Sequence, residues 1–233
     1  MQEVVMIGII AAMDAEITEI EKFVNVTSKQ TIARSEFIYG TIKDKDVVLC
    51  KSGVGKGMAS MSTTLLCMNH CLEAIINIGT AGGLIEEENV LDLIISDTVV
   101  QADYDTTPID GPSGLGLSFQ ADASLKESCI KACQANHIPY HVGTIASQDL
   151  FMQREEDFQK LMKNFPDSIC SEMEAGAIAQ VASAFQIPYV IVRSISDTIY
   201  HHENAMEFSK YVSLASHQSA KLVRSFIEAF YEK

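Results

Sequence analysis

Apolar positions along this 233-residue chain switch repeatedly between two spacings. Val4 to Ile10 is a near-continuous branched run, the pattern of a strand buried on both faces. From Ala15 to Phe23 the spacing becomes helical, with Ile17, Ile20 and Phe23 on one side and Asp14 placed to cap. Phe37–Ile42 and Asp46–Cys50 read as hairpin strands around Lys43-Asp44-Lys45. The glycine loop SGVGKG leads into an apolar-faced helix over Met58–Cys71. Ala74–Ile78 is a second buried strand, closed by the loop GTAGG, and Leu91–Val100 is strand-like. Residues 101–118 are turn-rich and read as a long irregular loop, a feature that is usually functional or mobile. Beyond it come a helix at Asp122–Asn136, a strand at His141–Ala146 and a helix at Glu155–Asn164. A small-residue helix at Ala175–Phe185 is stopped by Ile187-Pro188, and Tyr189–Val192 is a buried strand. Glu203–Tyr231 is a long amphipathic helix, open to a break near Phe208. Strands alternating with helices over short connections predict an α/β fold, three layers in α/β/α order around a twisted central sheet. The hairpin between Gln30 and Cys50 makes that sheet mixed.

Bulk composition narrows the partners. The chain is 47% hydrophobic and 21% charged, with no linker-like or repeated segment, so residues 1–233 are expected to form one domain. Its net charge of −14 leaves little for gripping phosphate backbones, so no nucleic-acid partner is expected. The apolar run Val4–Ala12 follows Glu3, lacks basic residues and is too short to span a bilayer. A cytoplasmic protein with no membrane partner is the expectation. Cys67/Cys71 and Cys129/Cys133 are each four apart within helical patterns, and no further ligand stands at zinc-site spacing. The cysteines read as small buried residues of a reducing compartment. His201 and His202, being adjacent, point apart and read as surface residues, so no metal site is expected.

Chemistry concentrates in Ser171–Asp197, SEMEAGAIAQVASAFQIPYVIVRSISD. RSISD follows a buried strand, where open α/β sheets place ligands. Arg193, Ser196 and Asp197 therefore stand at a candidate site, with Glu172 and Glu174 nearby and Arg193 able to pair with either. Carboxyls in partly apolar surroundings hold their protons and serve as general acids, and two or three around one bond suit glycosidic cleavage. Helix caps and ion pairs are the bland alternative. The two nucleotide-binding glycine patterns fail. The P-loop would need Gly where Cys50 stands and Ser or Thr at Gly57, and the dinucleotide fingerprint would need Gly at Met58. A glycine turn that lets a small ligand approach the backbone survives. GTAGG offers backbone N–H groups for hydroxyls or oxyanions. Phe151 and Met152 could flank a flat ligand or belong to the core.

Taken together, IGIIAAMDAEI, KSGVGKG, NIGTAGGL, SQDLFM, SEMEAGAIA and VRSISD resemble, in order and spacing, the 5′-methylthioadenosine/S-adenosylhomocysteine nucleosidases of the purine nucleoside phosphorylase-like superfamily. The resemblance runs nearly end to end. It implies hydrolysis of the N-glycosidic bond of 5′-thio-substituted adenosines, 5′-deoxyadenosine among the wider candidates, in methionine salvage and the recycling of S-adenosylmethionine by-products. It also implies no cofactor or metal, and a homodimer. By the same resemblance Asp197 protonates N7 of adenine, Glu16 activates the attacking water, and Glu174 holds the ribose hydroxyls beside Met173. Phe151 stacks on adenine and the Met152 backbone reads its edge. Ser196, Arg193 and Glu172 support these carboxyls. Met13, Val54, Thr80, Ala81 and Gly82 line the ribose and water side, and Ile109 and Phe208 build the apolar 5′-alkylthio pocket. Segment 98–118 departs most from the family, with Ala102, Tyr104, Pro108 and Gly111-Pro112 reshaping it.

Three rivals remain open on sequence alone. A phosphorylase would need Arg or several donors for phosphate, whereas AAMDAE is acidic. A hydrolase of other 5′-modified nucleosides, such as futalosine or 5′-deoxyadenosine, would share Asp197. A non-catalytic nucleoside-binding module would have no need of Glu16, Glu174 and Asp197 together.

Overall fold

The computed structural model describes residues 4–198 and 204–230, with side chains from 211 to 228 in the last segment. His201, His202 and the Phe208 side chain lie outside the described residues. The elements in chain order are β1 (Val5–Ala11), α1 (Asp14–Glu21), β2 (Asn25–Ile32), β3 (Ser35–Ile42), β4 (Lys45–Lys51), α2 (Lys56–Asn69), β5 (Cys71–Gly83) and β6 (Leu93–Asp105). There follow α3 (Thr107–Asp110), a 3-10 turn at Gly111–Gly114, β7 (Leu115–Gln120), α4 (Ala123–Ala135), β8 (Tyr140–Ser147), α5 (Glu155–Asn164), β9 (Ser168–Glu172), α6 (Ala175–Ala184), β10 (Tyr189–Thr198) and α7 (Asn204–Phe230).

The fold is α/β around a ten-stranded mixed sheet. β1 lies parallel between β4 and β5, and β3 and β2 extend antiparallel beyond β4. On its other side β5 pairs in parallel with β10, β10 with β6 antiparallel, and β6 with β8 and β8 with β9 in parallel. β9 then returns to β5 through Ser171–Gly82 and Cys170–Gly83, so five strands close a ring that leaves none of them an open edge. The period-two alternation of strand residues divides the core into two apolar layers. Ile7, Ile9, Ile76, Val190 and Val192 pack with Leu125 of α4 and Val223 and Phe226 of α7. Ile10, Ile75, Ile191 and Ile195 pack with Ala59 and Leu66 of α2 and Ile178 and Ala182 of α6. Burial of each of the Ile, Leu, Val and Phe side chains contributes about 2 kcal/mol.

Several boundaries differ from the sequence expectation, each for a physical reason. The helix expected from Met58 starts at Lys56 and gives up Cys71 to β5. GTAGG is not a closing loop: Gly79–Gly83 continue β5, paired with Arg193–Thr198 of β10 across a one-residue bulge. Small residues carry no apolar signal, yet they admit the polar side chains that pack on them. RSISD likewise does not follow β10 but forms its second half. Segment 101–118 is structured, extending β6 and returning through α3 and the 3-10 turn into β7. α7 runs on through position 208 without a break. Asp14 does not cap α1. Met13 is the N-cap residue, and Asp14 accepts a hydrogen bond from Lys51 Nζ at 2.7 Å. The β3–β4 hairpin is as expected but its turn is one residue shorter: Lys45 pairs with Ile42, leaving Lys43 and Asp44 at φ 45° and 65°, the left-handed pair that matches strand twist in a two-residue hairpin.

Candidate active site

The C-terminal halves of β5 and β10 lie side by side, pairing Gly79 with Arg193, Thr80 with Ser194 and Ala81 with Ile195. Register slips by one at Ser196, so Asp197 faces Gly82. Such a bulge re-aims side chains at a strand end. Here a cavity of about 150 Å³ opens, walled additionally by Ala12, Met13 and Glu16, by Val54, by Leu150–Met152 with Phe158, and by Ser171–Glu174. It lies at the carboxyl ends of parallel strands, as ligand sites do in α/β sheets.

Glu16 occupies the third position of α1 and folds back over the helix start. Its Oε2 accepts from Ala12 N at 2.9 Å and Met13 N at 3.0 Å, and its Oε1 from Thr80 N at 3.2 Å. The Thr80 N–H, one of those GTAGG offered to a ligand, is thus taken by Glu16. Burial pushes the Glu16 pKa above the ordinary carboxylate value, with the Arg193 charge and the backbone donors pulling it down.

Arg193 is buried beneath these groups. Its Nη2 donates to Asn77 Oδ1 at 2.7 Å, makes a close ion pair with Glu172 and stands 3.6 Å from Glu174 Oε2. It therefore faces both carboxylates rather than one. Asn77 is itself fixed, its Nδ2 donating to Ile10 O at 3.0 Å and Ile78 O at 3.2 Å. Gly79 makes the room: a Cβ there would stand 2.0 Å from Arg193 Nη1.

β9 ends at Glu172, and Glu174 begins α6 as its N-cap. The Glu172 carboxylate accepts from the N–H groups of Glu174 and Ala175, each at 2.9 Å. Anionic oxygen at a helix start satisfies orphan donors, so Glu172 is committed to the helix and to Arg193. Glu174 lines the cavity, its Oε1 accepting from Gly55 N at 2.9 Å. Burial first, and then the Glu172 charge, push its pKa up to about 7, against the pull of Arg193. Asp197 is 6% exposed, and Ser196 Oγ donates to its Oδ1 at 2.7 Å. A Cβ at Gly82 would stand 3.3 Å from Asp197 Oδ2, so the glycine lets the carboxyl lie close to β5. Met152 is buried, whereas Val54, Leu150 and Phe151 are partly exposed around the mouth.

Buried carboxyls on one small cavity, one of them bonded to a neighbouring hydroxyl, suit acid–base chemistry on a neutral ligand. The sequence comparisons agree in kind. The profile of the phosphorylase superfamily matches residues 6–228. A 5′-methylthioadenosine/S-adenosylhomocysteine nucleosidase of Halalkalibacterium halodurans is 41% identical over 225 residues, 95% of this chain and 97% of that one. The chain belongs to the 5′-methylthioadenosine/S-adenosylhomocysteine nucleosidase family. Solved structures agree. The nucleosidase of Neisseria meningitidis, in complex with methylthio-immucillin-A, superposes with a TM-score of 0.90 at 29% identity, covering 96% of this chain and 98% of that one. Futalosine hydrolase of Helicobacter pylori also gives 0.90, at 27% identity over 97% and 98% of the two chains.

Of the site residues expected for a nucleosidase, the structure brings to the cavity Met13, Glu16, Val54, Thr80, Ala81, Gly82, Phe151, Met152, Glu172, Met173, Glu174, Arg193, Ser196 and Asp197. Ile109 is not among them: it sits on α3, 84% exposed, and does not line this cavity. Ala12, Leu150, Phe158 and Ser171 line the cavity without having been singled out. Asn77 was also missed, although a lone amide inside the apolar strand AIINIG is a signal, since a buried polar side chain must find partners.

Proposed function

We propose that the chain hydrolyses the N-glycosidic bond of 5′-methylthioadenosine and S-adenosylhomocysteine, releasing adenine and the 5-thio-substituted ribose. The observation that carries this reading is the meeting of Glu16, Glu174 and Asp197 on one cavity. Asp197, held by Ser196, delivers a proton to N7 of adenine as the C1′–N9 bond breaks and its electron pair passes to the base. Glu174 accepts hydrogen bonds from the ribose hydroxyls and stabilises the cationic sugar carbon. Glu16 orients water and takes its proton as the new C1′–O bond forms. Met13, Val54, Thr80, Ala81 and Gly82 wall the sugar side, Met173 packs beside Glu174, and Phe151 and Met152 receive the base.

Water rather than phosphate is the acceptor in this reading. The Ala12, Met13 and Thr80 N–H groups, which could have formed an anion site, are occupied by a carboxylate. Arg193 is committed to Asn77 and Glu172. Adenine release should proceed at full rate without phosphate; release that requires phosphate and yields a sugar 1-phosphate would overturn the reading. Asp197→Asn should abolish turnover while an unreactive nucleoside analogue still binds.

The similarity to a futalosine hydrolase favours a second reading, in which the substrate carries a different 5′ substituent. Competition among methylthioadenosine, adenosylhomocysteine, 5′-deoxyadenosine and futalosine decides between them. The proposal extends to one domain over residues 1–233, in keeping with a family match over 6–228 and a ring of strands that draws on both halves of the chain. It extends also to a cytoplasmic homodimer. The cysteines are present as thiols, and no helix among the described residues is long and apolar enough to cross a membrane.

A further inference from the structure

Three chain-distant segments meet beside the cavity: the glycine turn before α2 and the stretch after β8, which give it Val54 and Leu150–Met152, and the end of β6, which does not line it but bonds to both. They meet at Lys56, the first residue of α2. Gly55, at the N-cap, has no side chain with which to cap the helix; instead Asp149, 93 residues away, reaches over, and its Oδ1 accepts from Lys56 N at 2.7 Å. The fit is close, since a Cβ on Gly55, whose φ is +91°, would stand 3.1 Å from that oxygen. Asp149 N donates to Asp103 Oδ2 at 3.0 Å. The third side is the Lys56 ammonium, which makes a close ion pair with Asp103 Oδ1 and stands 3.3 Å from Gln101 Oε1. The bonds form a triangle, each corner on a different segment.

Its position gives it a use. Gly55, one residue before Lys56, donates its N–H to Glu174 on the sugar side. Leu150, Phe151 and Met152, directly after Asp149, form the base-side wall. Lys56 and Asp103 keep 17% and 35% of their side-chain surface exposed, and ion pairs so placed contribute little to stability. Loosening a wall that holds substrate and transition state alike weakens affinity and leaves the chemical step nearly unchanged. We propose that Lys56, Asp103 and Asp149 are positioning residues that lock the base-side wall to the glycine turn, so that a nucleoside is gripped at base and sugar in one geometry. This rests on the nucleosidase reading above.

The test uses the full chain and two assays: adenine release from methylthioadenosine, and direct binding of adenine by calorimetry. Asp149→Ala should raise KM and the adenine Kd together, each by about tenfold, with kcat changed by less than about threefold. Asp149→Asn, which keeps an acceptor oxygen for Lys56 N, should restore most of the affinity. Lys56→Met, which keeps the backbone donor but loses the ammonium, should give an intermediate loss that wild type approaches at high salt. If Asp149→Ala and Lys56→Met both keep wild-type KM and adenine affinity, the proposal fails. It fails equally if their only effect is a lowered Tm. Wild-type chain that releases no adenine from any nucleoside would instead overturn the nucleosidase reading, and the calorimetric arm would still report on the triangle.

Discussion

Arg193 is the side chain on which the candidate site balances. It is 1% exposed and faces Glu172 and Glu174, with its charge also acting on Glu16. Removing a partner from a buried pair leaves an uncompensated charge, which costs far more than the pair contributes. Gly79→Ala tests this without removing any charged side chain, because the new Cβ would fall 2.0 Å from Arg193 Nη1 and 2.9 Å from Glu16 Oε1 and displace both. The variant should lose about 3 kcal/mol of stability and at least about 100-fold in kcat/KM, measured by denaturant titration and adenine release. Glu174 makes a pH prediction. Its pKa is raised to about 7, so in the free enzyme it holds a proton below neutrality and becomes an acceptor for ribose hydroxyls as pH rises. kcat/KM should climb roughly tenfold per unit as pH rises toward 7. Glu174→Gln should lose the component near 7; a variant whose limb is unchanged would move the titration to another group. The carboxyls themselves were visible in the sequence, and the family resemblance divided their labour, but the residue pattern by itself did not. Nothing in SEMEAG says that Glu172 turns back to cap α6 while Glu174 faces the cavity, because that choice is made by the turn between β9 and α6.

Elements were legible where apolar residues dominate and obscure where small or polar residues do. β1, α4 and α5 lie within about a residue or two of their sequence bounds, since continuous or helical apolar spacing marks them. β5 and β10 run five to six residues past their apolar stretches because Gly79–Gly83 and Arg193–Thr198 are held by each other. β2 is almost wholly exposed and β9 is only five residues long, so neither leaves a pattern. The loop between β5 and β6 hides a different element, a buried carboxyl that organises it. Glu88 Oε2 accepts from Leu84 N at 2.9 Å and Ile85 N at 3.3 Å, while among the described residues Oε1 has no hydrogen-bond partner. Desolvation pushes its pKa up to about 7, against these two donors. A carboxyl whose folded pKa is raised supports the fold fully below its unfolded value near 4.5 and loses that support as pH climbs through 7. Wild type should therefore lose stability between pH 5 and pH 8, by at most about 3 kcal/mol on this account. Glu88→Gln retains an acceptor oxygen without the charge and should flatten that dependence in urea titrations at the two pH values. Parallel curves for the two proteins would remove Glu88 as the cause.

For the molecule as a whole, alternation of strand and helix was enough to reach three layers and a mixed sheet, but not the ring. Closure depends on two residue pairs between β5 and β9, Gly82–Ser171 and Gly83–Cys170, roughly ninety positions apart, and periodicity carries no information at that range. The same limit applies beyond the chain. Ile109 is apolar and 84% exposed on α3, Tyr104 is 39% exposed nearby in sequence, and Val54, Leu150 and Phe151 are 52%, 41% and 40% exposed at the cavity mouth. A mouth and a protruding segment that are both apolar on one protomer can satisfy each other across a twofold axis, since an isologous interface sets each patch of one copy against the complementary patch of the other. This would reconcile the place Ile109 holds by resemblance, in the 5′-alkylthio pocket, with its absence from the lining of its own chain's cavity: it would close the pocket of a second copy. Two measurements bear on this together. Wild type should sediment at twice the chain mass. Ile109→Asp should weaken that assembly and raise KM for methylthioadenosine by about tenfold, with a smaller rise for 5′-deoxyadenosine, which has no alkylthio group to lose contact. A wild-type monomer with full activity at nanomolar concentration would end the dimer proposal. A dimer whose Ile109→Asp variant treats both substrates like wild type would keep the dimer but take Ile109 out of the pocket.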